Sequence, residues 1–168
     1  MYSAEAIQYV IDHEGGYVND PSDPGGETKY GISKRSYPDV DIKNLSLKNA
    51  RIIYENDWWY KYSAFANVAN LHQQLGIKYF DASVNMGVSS ASKALQRSLR
   101  ACGQSVIPDG IVGSRTILAL QDLVLGPTPH ESPVAAYRSE LAGHYRVLIA
   151  RNSDLKKFKN GWLARAYE

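Results

Sequence analysis

The sequence of 168 residues holds a single cysteine, Cys102, two methionines, three phenylalanines and three tryptophans. One cysteine forms no internal disulfide and supplies no multi-thiolate zinc site. No stretch reaches the roughly 18 consecutive apolar residues of a membrane-spanning helix. The N-terminal Met-Tyr-Ser-Ala-Glu-Ala-Ile-Gln has no basic flank followed by an apolar run, so no ordinary signal peptide is expected. The four histidines show no ligand spacing: in His13-Glu14-Gly-Gly-Tyr17 the position of a second zinc-binding histidine is a tyrosine. Gly110-Ile-Val-Gly-Ser-Arg-Thr is neither a Walker A motif nor a dinucleotide loop. At 44% hydrophobic and 21% charged residues, the chain is neither disordered nor fibrous.

What is present is tyrosine, 12 of it, and an uneven charge. Residues 1–84 carry 8 Lys+Arg against 11 Asp+Glu, and residues 85–168 carry 11 against 6. The acidic half suits carboxylate chemistry, and the basic half suits an anionic polymer. Tyrosine, with an apolar ring and a polar tip, suits a wet cleft.

Helical periodicity runs through most of the chain. Ser3 is placed to cap a first helix, with Ile7, Val10, Ile11 and Glu14 on one face, and Gly15-Gly16 stops it. Asn, Asp, Pro and Gly then punctuate 17–36, with a small hairpin expected around Thr28–Ile32. Ser46 is expected to cap a second helix to about Tyr60, with Trp58 inward and Trp59 or Tyr60 freer to face a cleft. A third helix is expected from about Asn67 to Met86 with a break at Gly76. A fourth follows from Ser89 or Ser90 to Cys102, and a fifth over Ser114–Leu125. Two more are centred on 134–148 and 155–166. The fold class is mostly α, with one small β-hairpin and loop insertion near the N-terminus.

Glu14 is the residue where chemistry concentrates. It shares a face with Ile7 and Ile11, at a helix C-terminus where the macrodipole opposes negative charge. Both placements disfavour the anion, as a general acid requires. The glycine-rich segment that follows brings Asp20, Asp23, Glu27 and Thr28 within reach of the helix end. One acid on a helix end facing further carboxylates is an arrangement that can cut a glycosidic bond.

The run His13-Glu14-Gly15-Gly16-Tyr17-Val18-Asn19-Asp20-Pro21, then Asp23-Pro24-Gly25-Gly26-Glu27-Thr28 and Tyr30-Gly31-Ile32-Ser33, resembles the signature of glycoside hydrolase family 108. These are lysozyme-like N-acetylmuramidases of phage endolysins and bacterial lysis or secretion cassettes. Phe80-Asp81-Ala82-Ser83-Val84-Asn85-Met86-Gly87, Leu95-Gln96-Arg97, Pro108-Asp109-Gly110-Ile111-Val112-Gly113 and Phe158 through Arg165 extend the resemblance over nearly the whole chain. It implies a lysozyme-like fold and hydrolysis of the β-1,4 bond between N-acetylmuramic acid and N-acetylglucosamine in peptidoglycan. It also implies that Glu14 is the catalytic acid. A weaker similarity to phage-type lysozymes with the spacing Glu-x8-Asp-x5-Thr matches Glu14 and Asp23, while Thr28 falls one residue early.

The expected site is therefore Glu14 and Asp23 as catalytic residues, with Asp20 competing for the role of second carboxylate. Asp20, Thr28, Tyr30, Trp59 and Asn85 are expected to contact substrate. Asn85 either bonds an N-acetyl group or ties helices together. No metal or organic cofactor is called for. Residues 1–88 are expected to be the catalytic region and 89–168 a helical region resembling a predicted peptidoglycan-binding domain, the two packed as one compact unit. The partner is the peptidoglycan glycan strand, with no nucleic acid, no membrane insertion and a monomeric state. The protein is expected to be made in the cytoplasm and to reach the wall, in the periplasm, through a holin or a secretion system. A lytic transglycosylase is the nearest rival, and a non-catalytic wall-binding or secretion-accessory module the rival of another class.

Overall fold

The computed structural model describes residues 2–19, 26–127 and 130–168. Asp20 and Asp23 lie outside the described residues. Eight α-helices, one π-helical turn, one 3-10 segment and one two-stranded sheet make up the regular structure of the described residues, so the mostly α expectation holds. By internal contacts the chain divides into Met1–Ala66 and Asn67–Glu168.

In the first unit, α1 spans Tyr2–His13 and buries Ala6, Ile7, Val10 and Ile11, the predicted stripe. It begins one residue before Ser3, which is helical and not a cap. The hairpin is β1 (Thr28–Lys29) and β2 (Ile32–Ser33), with Thr28 opposite Ser33 and Lys29 opposite Ile32. Ser46 does cap α2 (Leu47–Ile53): its hydroxyl accepts from the Asn49 backbone N–H at 3.1 Å.

The continuation of α2 departs from expectation. Tyr54–Trp59 is a π-helical turn. Tyr54 is inward at 1% exposure; α-helical spacing puts the next inward residue four on, at Trp58. The widened turn, bonded i to i+5, moves that position to Trp59. Trp59 is 5% exposed and stacks on Phe65 with ring centroids 6.0 Å apart, whereas Tyr60 is 67% exposed. The buried indole is thus Trp59 and not Trp58, which corrects the expectation that Trp59 is a substrate-facing residue.

The second unit takes in most of α3 (Ser63–Leu71), then α4 (Gln73–Met86), α5 (Val88–Ala101), α6 (Ser114–Leu125), α7 (Ser132–Arg151) and α8 (Lys159–Tyr167). A 3-10 segment, Ser153–Phe158, precedes α8. The break expected at Gly76 lies four residues earlier, at His72. His72 has extended backbone and caps α4, accepting from the Leu75 N–H at Nδ1. Gly76 serves close packing instead: a Cβ there would fall 2.4 Å from the Cα of Ala69. None of the described helices is long and apolar enough to cross a membrane.

Two pairs of motif stretches far apart in sequence meet inside this unit. Asp81, 2% exposed, accepts from Arg165 Nη2 at 2.7 Å and from Nε at 3.1 Å, while Lys78 Nζ lies 3.9 Å from its other oxygen. Burial pushes the Lys78 ammonium pKa down, with Asp81 opposing. Gln96, 1% exposed, donates to Asp109 Oδ1 at 2.7 Å and to the Ile111 carbonyl at 3.1 Å, and accepts from the Gly110 N–H at 2.8 Å. Tyr79 is fully buried against Ser92 at 2.8 Å, and burial pushes its phenol up to about 12.

Candidate active site

Glu14 closes the last turn of α1. Its N–H reaches the carbonyls of Val10 at 3.1 Å and Ile11 at 3.3 Å. Gly15 then turns the chain with φ +58°, the left-handed backbone that terminates many helices at a glycine. The carboxyl of Glu14 is thereby set at the helix end, half-buried.

Two devices shape what lies around it. Val18 and Thr28 exchange backbone hydrogen bonds of 2.8 Å in both directions, so the chain before and after residues 20–25 is clamped together. The hairpin turn is the second device. Its central residues, Tyr30 (φ +54°) and Gly31 (φ +75°), both have positive φ, as tight two-residue hairpins of the I′ type require. Tyr30 is the only non-glycine described with positive φ, a conformation that is uncommon outside glycine. The hydroxyl of buried Tyr54, donating to the Tyr30 carbonyl at 2.9 Å, anchors it there.

The turn sits directly on the acid. A Cβ at Gly31 would lie 2.9 Å from Glu14 Cγ, 3.0 Å from Glu14 Oε2 and 2.5 Å from the Tyr54 hydroxyl. The absent side chain of Gly31 is therefore what lets hairpin, tyrosine hydroxyl and carboxyl converge. The arrangement fixes the Glu14 side chain against backbone on one flank and leaves it half-exposed. A held, reachable carboxyl can deliver a proton to an oxygen placed beside it.

The other expected residues fall as follows. Thr28 donates from Oγ1 to the Gly26 carbonyl at 3.4 Å, and its backbone belongs to the clamp. Tyr30 is at the turn, its ring half-buried with Lys29 Nζ 5.5 Å from the centroid. Asn85 accepts from the Tyr145 hydroxyl at 2.8 Å, which is the helix-tying alternative and joins α4 to α7. The sequence reading missed Gly31 and Tyr54 as site members. A glycine between two short strand-like runs, preceded by a residue forced to positive φ, was the available signal for Gly31. Nothing in periodicity distinguished Tyr54 from an ordinary core residue.

Residues 7–87 match the family model described as Glycosyl hydrolase 108, and residues 90–167 match that of a Predicted Peptidoglycan domain. No curated protein matches the chain. Among solved structures, that of Brucella abortus SagA superposes with a TM-score of 0.72 at 23% identity, covering 98% of this chain and 89% of SagA. That likeness is one of fold. The Glu14 motif and the hairpin over it lie inside the first match, and the Asp81–Arg165 and Gln96–Asp109 pairings tie together stretches that reach into or lie within the second. These two matches give the chain a glycosyl hydrolase 108 domain followed by a predicted peptidoglycan domain, the make-up of a glycosidase that acts on peptidoglycan.

Proposed function

We propose that the protein is an N-acetylmuramidase that hydrolyses the β-1,4 bond between N-acetylmuramic acid and N-acetylglucosamine. Glu14 is the general acid that protonates the leaving oxygen. Asp23, or Asp20 in its place, stabilises the oxocarbenium-like transition state or orients water. The observation that carries this reading is the convergence of Glu14, Gly31 and Tyr54 under the hairpin turn, inside a glycosyl hydrolase 108 domain. A general acid acts only when its proton is held in a defined place beside the scissile oxygen. A turn with two positive φ residues, pinned by a buried hydroxyl, supplies that definition.

In this reading residues 1–88 carry the chemistry and 89–168 hold the wall. The protein works as a monomer and meets its substrate after release from the cytoplasm by a holin or a secretion system. The test is release of new reducing ends from purified sacculi by wild type, Asp23→Ala and Asp20→Ala. Asp23→Ala is expected to lose kcat more than binding, because it acts on charge that develops in the transition state. Asp20→Ala is expected to lower chiefly the melting temperature. A folded but inactive Asp20→Ala beside an active Asp23→Ala exchanges the two roles. No reducing ends from wild type overturns the reading.

A further inference from the structure

Three of the cations of the basic half surround one cavity. It measures about 560 Å³ and is lined by Arg146, Ile149 and Ala150 of α7, Ser153 and Lys156 of the 3-10 segment, and Lys159 at the start of α8. No carboxylate of the described residues lines it. In sequence Lys156-Lys157-x-Lys159 reads as a solvated face, yet the fold separates its members. Lys157 Nζ stands over the Phe158 ring at 5.0 Å, while Lys156 and Lys159 line the cavity together with Arg146.

The walls are built to stay in place. The Asn152 side chain accepts from the Asp154 N–H at 3.0 Å and starts the 3-10 turn. Phe158 stacks on Trp162 at 5.4 Å, and Trp162 packs on buried Tyr145 of α7 at 5.2 Å, fastening segment to helix. Arg146 is oriented by Tyr167: Nη2 meets its hydroxyl at 3.2 Å and the guanidinium lies 5.9 Å from the ring centroid. A lining of apolar Ile149 and Ala150 with three cationic residues suits a ligand with a short aliphatic body and several carboxylates.

We propose that this cavity binds the carboxylate-bearing stem peptide of peptidoglycan. The proposal rests on the reading of the chain as a peptidoglycan hydrolase. All six lining residues lie within the predicted peptidoglycan domain. Within peptidoglycan the acetylated sugars are neutral, and the anionic groups are the carboxylates of the stems. Charge complementarity therefore directs this cavity to the peptide and leaves the glycan to the Glu14 site. A volume of this order lies within the usual range for small-ligand sites, about 300–1,000 Å³.

The test is a titration of the isotopically labelled full chain with a soluble tetrapeptide stem (L-Ala, D-Glu, diaminopimelate, D-Ala), followed by amide NMR shifts. Saturable shifts clustered over residues 146–159 are expected, and are expected to vanish when the peptide carboxylates are methyl esters. The double variant Lys156→Glu/Lys159→Glu, checked for an unchanged melting temperature, is expected to bind about tenfold more weakly, as reversal of two exposed charges implies. Absent or scattered shifts, undiminished affinity in the folded variant, or equal occupancy by inorganic phosphate or single-stranded DNA overturns the proposal. Reducing-end release from glycan strands stripped of their peptides separates this from the enzymatic reading. Wild type and variant should cleave them equally, and failure of both to cleave refutes the muramidase while the titration still decides the cavity.

Discussion

Residues 1–66 and 67–168 use buried polar groups to opposite ends. In the second unit the buried charges and amides are matched in pairs: Asp81 with Arg165 and Lys78, Gln96 with Asp109 and the Gly110 and Ile111 backbone, Tyr79 with Ser92. Apart from Lys78, which shares α4 with Asp81, each partner comes from a different segment, so these pairings trade desolvation for a specific packing of helices. In the first unit the comparable polar contacts serve a turn. Tyr54 donates to a carbonyl whose residue has an unfavourable φ, and Gly31 gives up a side chain so that backbone approaches a carboxyl. The second unit shows what polar burial does when helices are packed together, and the first what it does when a turn is held against a carboxyl.

The sharpest way to break this contrast is at Asp81. Asp81→Ala removes the buried carboxylate that Arg165 and Lys78 share. Removing one partner of such a pair costs about 3–5 kcal/mol, so a large fall in melting temperature is expected by calorimetry. A change within about 0.5 kcal/mol, the usual range for surface substitutions, means the pair is not structural.

Glu14→Gln is the mirror experiment. It keeps the shape of the side chain against Gly31 and removes the proton donor. Initial rates on sacculi are expected to fall by at least about two orders of magnitude, the usual worth of a general acid. The melting temperature is expected to hold, because glutamine keeps the shape of the side chain against Gly31.

Gly31→Ala sits between the two. Its Cβ meets the Tyr54 hydroxyl at 2.5 Å and Glu14 Cγ at 2.9 Å, and its φ of +75° is strained for alanine. A stability loss of about 1–3 kcal/mol is expected from crowding and backbone strain. Activity is expected to drop further than that loss alone accounts for, since the turn shifts off the acid. Equal rates for the folded variant and wild type remove Gly31 from the site.

The smallest effect concerns pH and belongs to the second unit. His72 is 4% exposed, and burial lowers its pKa below the ordinary 6.5, with the hydrogen bond to the His130 carbonyl opposing. His144 is lowered by burial as well. Between the depressed folded value and 6.5 the unfolded chain binds more protons than the native one, so stability rises with pH through that window and falls on acidification. Denaturation midpoints measured across it are expected to show that slope, and His72→Gln is expected to flatten it. A slope of opposite sign contradicts the assignment.

Much of this architecture is legible in residue order. α6 spans the expected Ser114–Leu125, Ser46 caps where its hydroxyl predicts, and the Ile7–Val10–Ile11 stripe is buried. These are local matters of periodicity and capping. The misses have tertiary causes. A π turn has no signature in a 3.6-residue pattern, so Trp58 and Trp59 were exchanged. Gly76 reads as a helix breaker, but the close approach of Ala69 makes it a packing residue. Of the site, Glu14 stood out through its face and its motif. The residues placed against it, Gly31 and Tyr54, are fixed by the hydrogen bond from Tyr54 to the Tyr30 carbonyl across 24 positions of sequence, which no spacing rule anticipates.

Glu14 is proposed to drive hydrolysis of the bond between N-acetylmuramic acid and N-acetylglucosamine. Mass spectrometry of the soluble fragments released from purified sacculi tests it most directly. Fragments ending in a reducing N-acetylmuramic acid are expected from wild type, and none above background from Glu14→Gln. Fragments ending in anhydromuramic acid, or in a reducing N-acetylglucosamine, or full release by Glu14→Gln, would contradict it.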